Sequence, residues 1–107
     1  MKIDDVKHII SENQIKMDYI KINDNYLIPG VYYLYYDTSS LEWAAFYNDK
    51  EYNVNHFFET EDAACRKFIE LIFSSPENFE DYKLKDYWAL KERGSKLIEI
   101  YLKKNSI

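Results

Sequence analysis

Val31-Tyr32-Tyr33-Leu34-Tyr35-Tyr36, the polar cluster Asp37-Thr38-Ser39-Ser40, and then Leu41-Glu42-Trp43-Ala44-Ala45-Phe46-Tyr47 decide the fold. Runs this rich in aromatic residues prefer a pleated surface, and Asp, Thr and Ser between two such runs read as a hairpin connection. Asn48-Asp49-Lys50-Glu51 supplies a second polar turn before Tyr52-Asn53-Val54-Asn55-His56-Phe57-Phe58. In that last run Asn53 and Asn55 alternate with Tyr52, Val54, His56 and Phe58, so one set faces water and the other a covered side. Three strands joined by short loops predict an antiparallel meander, because parallel neighbours need a crossover that this stretch does not contain.

Upstream, Ile15, Met17 and Tyr19 alternate with Lys16 and Asp18 and predict a further strand of about six residues. Asn23-Asp24-Asn25 closes it as a turn, Tyr26-Leu27-Ile28 is a candidate extension, and Pro29-Gly30 interrupts pairing. Before it, Ile3, Val6, Ile9 and Ile10 recur at helical spacing, with Asp4 and Asp5 at the positive end of the dipole, so a short helix ends near Asn13. Downstream, Thr60 followed by Glu61 and Asp62 is a helix start, and Ala63, Ala64, Phe68, Leu71 and Ile72 share one face. Ser75-Pro76 reads as the cap of a short helical turn. The tail from Asp81 to Lys104 is helical in spacing, through Leu84, Tyr87, Trp88, Ile98, Tyr101 and Leu102, with Gly94-Ser95 as a point where one helix could become two. The expectation is one α+β domain over residues 1–107: an antiparallel sheet of three to four strands, with an N-terminal helix and C-terminal helices on one face.

Composition limits the chemistry. Apolar residues make up 47 % of the 107, with only two glycines and two prolines, so the chain can bury a core and is not of disordered type. No uncharged apolar stretch approaches the ~20 residues of a membrane span, and Met1-Lys2-Ile3-Asp4-Asp5 turns acidic where a secretory signal would be apolar, so a cytoplasmic location is expected. Cys65 is the single cysteine and can form neither an internal disulfide nor a cysteine metal cluster. His8 and His56 are too few and too separated to suggest metal ligands, and the glycines are too sparse for a phosphate-cradling loop. A nucleophile would require Cys65 activated by His56; the alternative is a small buried hydrophobe in the helix after Thr60. The acidic pairs Asp4-Asp5, Glu61-Asp62 and Glu80-Asp81 all sit at expected helix starts, which accounts for them without acid–base chemistry. No catalytic residue, metal or cofactor is therefore assigned.

Charge and tyrosine remain. The net charge is −5, but residues 1–82 carry 7 basic and 16 acidic side chains, whereas residues 83–107 carry 7 basic and 3 acidic. Residues 31–49 contain no Lys or Arg, which disfavours nucleic acid as a partner of the aromatic strands. Tyr33 and Tyr35 point away from whichever face Leu34 joins, and Tyr is well suited to interfaces because it buries area while keeping a hydroxyl. Together with Asp37, Glu42, Asp49 and Glu51 they form the candidate partner-binding set, an acidic, tyrosine-bearing surface that fits a basic protein. The competing readings are that another element covers those rings, and that acidity serves solubility alone.

Trp43-Ala44-Ala45-Phe46-Tyr47-Asn48-Asp49-Lys50, with Phe57-Phe58-Glu59-Thr60-Glu61-Asp62-Ala63-Ala64-Cys65-Arg66-Lys67-Phe68, resembles the centre of small immunity proteins of bacterial polymorphic-toxin and contact-dependent inhibition systems. In that group a tryptophan-bearing strand, a polar hairpin and a strand ending in Phe lead into a helix opening as Thr/Ser-Glu-x-Ala-Cys; the Arg-Gly pair usual at the hairpin is absent here. The resemblance implies an intracellular inhibitor that neutralises one cognate toxin, a nuclease being one such partner, without catalysis of its own. An inhibitor or adaptor of a mobile element, such as a phage counter-defence protein, and a small Cys65-dependent enzyme are the alternatives. Pairing of two copies through an open strand edge is left open by the sequence.

Overall fold

The computed structural model describes residues 1–49, 57–80 and 86–104. Helix α1 spans Ile3–Glu12, strands β1, β2, β3 and β4 span Ile20–Ile22, Val31–Asp37, Glu42–Asn48 and Phe57–Phe58, and helices α2 and α3 span Glu61–Ile72 and Tyr87–Lys104. The strands form one sheet in the order β1-β2-β3-β4. The fold is α+β, as the pattern of elements predicts, and β2, β3 and β4 are the expected antiparallel meander.

The first strand departs from expectation in place and direction. Ile15 makes only an isolated bridge to Phe79, residues Met17–Tyr19 form a 3-10 turn, and the strand proper is Ile20–Ile22. It runs parallel to β2, with Lys21 opposite Tyr33, so the sheet is mixed. Residues 23–30 form the return connection, and Tyr26-Leu27-Ile28 is not strand. A strand of three residues rises only about 10 Å, so eight residues can return its end to the start of β2 without a crossover helix.

Alternation sorts the sheet's side chains onto two faces. Tyr32, Leu34, Ala45, Trp43 and Phe58 join α1, α2 and α3 in the principal core, where Val6, Phe68, Ile69 and Ile72 are fully buried. The Thr60 hydroxyl caps α2 by accepting from the Ala63 N–H, and the Glu61 carboxylate accepts from the Ile3 backbone at 2.9 Å, joining the start of α1 to that of α2. Helix α3 lies on α2 through Leu90, Gly94, Leu97 and Tyr101, spaced as one stripe, and runs unbroken through Gly94-Ser95. The helices thus cover one face of the sheet. The other face holds a second cluster of Val31, Tyr33, Ala44 and Phe46, with Tyr35 packed against it. Tyr52 to His56, expected in the third strand of the meander, and Leu84, expected in the helical tail, lie outside the described residues.

Candidate functional site

The face opposite the helices does carry Tyr33 and Tyr35, but the two have different fates. Tyr33 is 0 % exposed. Its hydroxyl donates to the carbonyl of Tyr26 and accepts from the N–H of Ile28, each at 2.6 Å, so the 23–30 connection is drawn across the sheet and covers the ring. Tyr33 is therefore a core residue and not a contact residue, contrary to the expectation of an open aromatic face. Tyr35 is half-buried, edge-on to both Tyr33 and Phe46. Burial and, next, the nearby Asp37 carboxylate raise its phenol above the ordinary value of 10.0.

Asp37 and Glu42 face each other as the last cross-strand pair before the β2–β3 hairpin turn. Like charges directly opposite on antiparallel strands oppose pairing by a few tenths of a kcal/mol to about 1 kcal/mol. The Asp37 carboxylate is partly compensated by the Ser39 N–H at 3.1 Å and the Ser40 hydroxyl at 3.0 Å. Among the described residues neither Asp37 nor Glu42 forms an ion pair with Lys or Arg. Leu41, in the same turn, is 71 % exposed and held at φ 59°, a left-handed backbone uncommon for a side-chain-bearing residue. Exposed Tyr36 stands edge-to-face with Trp43 on the other side of the tip.

The structure brings together Tyr35, Asp37 and Glu42 and separates them from Asp49. Asp49 is exposed after Asn48, the partner of Val31, and so lies at the far end of β3, about 20 Å from the tip by strand rise. Glu51 lies outside the described residues. A single patch holding all six candidates does not form; its compact remainder is the hairpin tip.

Cys65 is fully buried in α2, and burial first, then Glu61, pushes its thiol up from 9.0 to about 12. His56 lies outside the described residues, and His8 is exposed beside Glu12 at 3.1 Å. A neutral, enclosed thiol is a poor nucleophile. Because the folded value is the higher one, folding is favoured by the protonated thiol below about pH 9, and that contribution is lost as pH rises towards 12. Tyr32 and Tyr101, also raised chiefly by burial, act in the same direction above pH 10. We expect alkylating reagents to leave native Cys65 unmodified at pH 8 and to label it on unfolding, with the urea midpoint falling between pH 8 and 10.5; labelling at a free-thiol rate in the native protein would contradict the burial. Among the described residues no three His, Cys, Asp or Glu side chains gather to hold a metal ion, and no helix is long and apolar enough to cross a membrane.

A second feature was not foreseen from the sequence. At the opposite end of the sheet from the hairpin tip, the turns Met17–Tyr19 and Pro76–Asn78 flank a cleft of about 680 Å³ lined by Tyr19, Tyr32 and Tyr47, with Lys16, Glu77 and Asn78. Tyr32 and Asn78 meet across 46 residues of sequence, so no local spacing signals them.

Residues 6–94, from the first turns of α1 through the whole sheet to the middle of α3, match the family described as DDB_G0287209 N-terminal domain. The chain belongs to that family. The family match contains the hairpin tip, the crossover, the cleft and the buried Cys65. No curated protein and no solved structure matches the chain.

Proposed function

We propose that the chain is a protein-interaction module whose hairpin tip engages a basic protein surface, and that it acts there as an immunity protein neutralising a cognate toxin. The observation that carries the reading is the pair Asp37 and Glu42, set opposite each other without a cationic partner among the described residues, beside exposed Leu41 and Tyr36. A partner's Lys or Arg would relieve a repulsion that the fold leaves in place, and the neighbouring apolar and aromatic groups supply area to bury. The strand-to-helix resemblance supports the toxin-neutralising part, and the buried, neutral thiol speaks against Cys65 catalysis as the alternative.

The test is co-expression with the polypeptides encoded beside this chain in its source genome, followed by calorimetry of any purified complex. We expect protection of growth, affinity that falls from 50 to 500 mM salt, and a loss of roughly tenfold or more for Glu42→Lys. Glu42 is preferable to Asp37 as a target because Asp37 also organises the turn. A complex indifferent to salt and to Glu42→Lys would remove the hairpin tip as the contact surface, and binding without growth protection would remove the immunity role.

A further inference from the structure

The cleft between Tyr19, Tyr47 and the Pro76–Asn78 turn holds hydrogen-bonding groups that the fold does not use. Asn78 is 6 % exposed and Tyr32 8 % exposed, yet both line it. The Asn78 Nδ2 donates to the Ile72 carbonyl and to the Tyr32 hydroxyl, each at 3.0 Å. The Ile72 carbonyl can only accept, which fixes the amide with its nitrogen on that side and leaves Oδ1 as a free acceptor. The Tyr32 oxygen accepts from Asn78, so its own proton remains to be donated. Neither side chain makes a further hydrogen bond among the described residues, Asn78 Oδ1 is not enclosed in the protein, and both residues line the cleft. Buried polar groups are normally satisfied, and a nearly buried donor beside a nearly buried acceptor is a recognition element waiting for a complementary edge.

The walls are aromatic. Tyr47 and Tyr19 are each partly exposed, and the Tyr47 ring centroid is 4.6 Å from that of Tyr32, its cross-strand neighbour. Lys16, placed over the Tyr19 ring at 5.9 Å, and Glu77 bring opposite charges to the lining, so their fields partly cancel and the cleft as a whole favours neither an anion nor a cation. The volume suits a small molecule. Burial, with Tyr47 and Glu77 adding to it, keeps Tyr32 protonated and thus a donor throughout the physiological range.

We propose that this cleft binds a neutral, planar nucleobase or nucleoside, whose carbonyl oxygen accepts a hydrogen bond from the Tyr32 hydroxyl and whose adjacent ring N–H donates to Asn78 Oδ1 while its face stacks on Tyr47. The proposal is independent of the hairpin tip, which lies at the other end of the sheet.

The probes are uridine and guanosine titrated into the ¹⁵N-labelled full chain and followed by amide chemical shifts, with acetamide, whose carbonyl and syn N–H reproduce the edge, as a ligand without the ring. The expected result is saturable movement of resonances around Tyr19, Tyr32, Tyr47 and Asn78 with at least one nucleoside, and none with acetamide. Tyr32→Phe, which keeps the ring and removes the donor, and Tyr47→Ala, at an exposed position, should each weaken binding by about tenfold or more. Tyr35→Phe, outside the cleft, should not. The proposal is overturned if neither nucleoside gives saturable shifts up to about 10 mM, a bound set by millimolar affinity. It is equally overturned if acetamide binds as well as the nucleosides, or if binding survives in a folded Tyr32→Phe and Tyr47→Ala.

Discussion

Tyr33→Ala is expected to destabilise the domain by about 4 kcal/mol, and Tyr33→Phe by about 1–2 kcal/mol. The ring is fully buried against Phe46, stacked at 5.4 Å between centroids, and sits at the centre of the cluster on the sheet face away from the helices. Removing it leaves a cavity in a small cluster that has few neighbours able to collapse inward. The hydroxyl does separate work: it holds the Tyr26 carbonyl and the Ile28 N–H, and so fixes the residue 23–30 connection that makes β1 parallel to β2. Tyr33→Phe keeps the packing and releases both backbone groups, which can reach water because the connection is exposed; its cost is therefore the smaller one. Urea denaturation gives the two values, and hydrogen exchange at the Ile28 amide separates their causes. In Tyr33→Phe that amide should exchange markedly faster while amides of β3 do not. A Tyr33→Phe protein with wild-type stability and an equally protected Ile28 amide would mean that the connection is held by something other than this hydroxyl.

The same residue marks the boundary of what the sequence can disclose. Alternation correctly sends Tyr33 and Tyr35 to the face opposite Leu34, because a period of two is a property of the strand itself. Whether another segment lies on that face depends on chain return, and residues 23–30 have no periodicity to announce it. The strand before them illustrates a second limit. Ile15, Met17 and Tyr19 alternate as a strand would, but Met17 and Tyr19 are exposed in a 3-10 turn, and the paired residues are Ile20 and Ile22, displaced into the next alternating pair. Parallel pairing commonly requires a helical crossover, and the brevity of β1 is what makes eight residues enough here. By contrast α1, α2 and the β2–β3 hairpin follow from local signals: isoleucines at helical spacing, a Thr60 cap, a polar turn between aromatic runs. Of the candidate contact set, Asp37 and Glu42 come together because the hairpin makes them neighbours, whereas Asp49 needed the length of a strand to be taken into account. The Tyr32 and Asn78 pair was beyond any local reading, since it depends on how the chain after α2 returns to the sheet.

Gly94→Ala should lower stability by about 2 kcal/mol even though alanine is the better helix former by roughly 1 kcal/mol. Gly94-Ser95 looks like a helix break in the sequence, but α3 passes through it, and the glycine is there for proximity. A Cβ built at Gly94 would lie 2.7 Å from the Phe73 Cβ and 3.0 Å from its Cγ, well inside the ~3.5–4.0 Å at which carbon atoms attract. Phe73 caps the end of α2, is 1 % exposed, and stands edge-to-face with Phe79 at 5.1 Å, so it has no room to retreat. Accommodating the methyl would push α3 away from α2 along the stripe of Leu90, Leu97 and Tyr101 and loosen each of those contacts. Because the nearest clash is with the Phe73 Cβ, shortening that residue to alanine does not remove it, and Gly94→Ala combined with Phe73→Ala should be less stable than either single variant. Ser95→Ala, one position along and exposed, provides the internal control: it should be neutral or slightly stabilising, as propensity alone dictates. Thermal denaturation resolves these differences, each kcal/mol amounting to roughly 4 °C or more in a domain of this size. A Gly94→Ala protein that gains stability as Ser95→Ala does would show that α3 does not approach α2 as closely as the 2.7 Å separation requires.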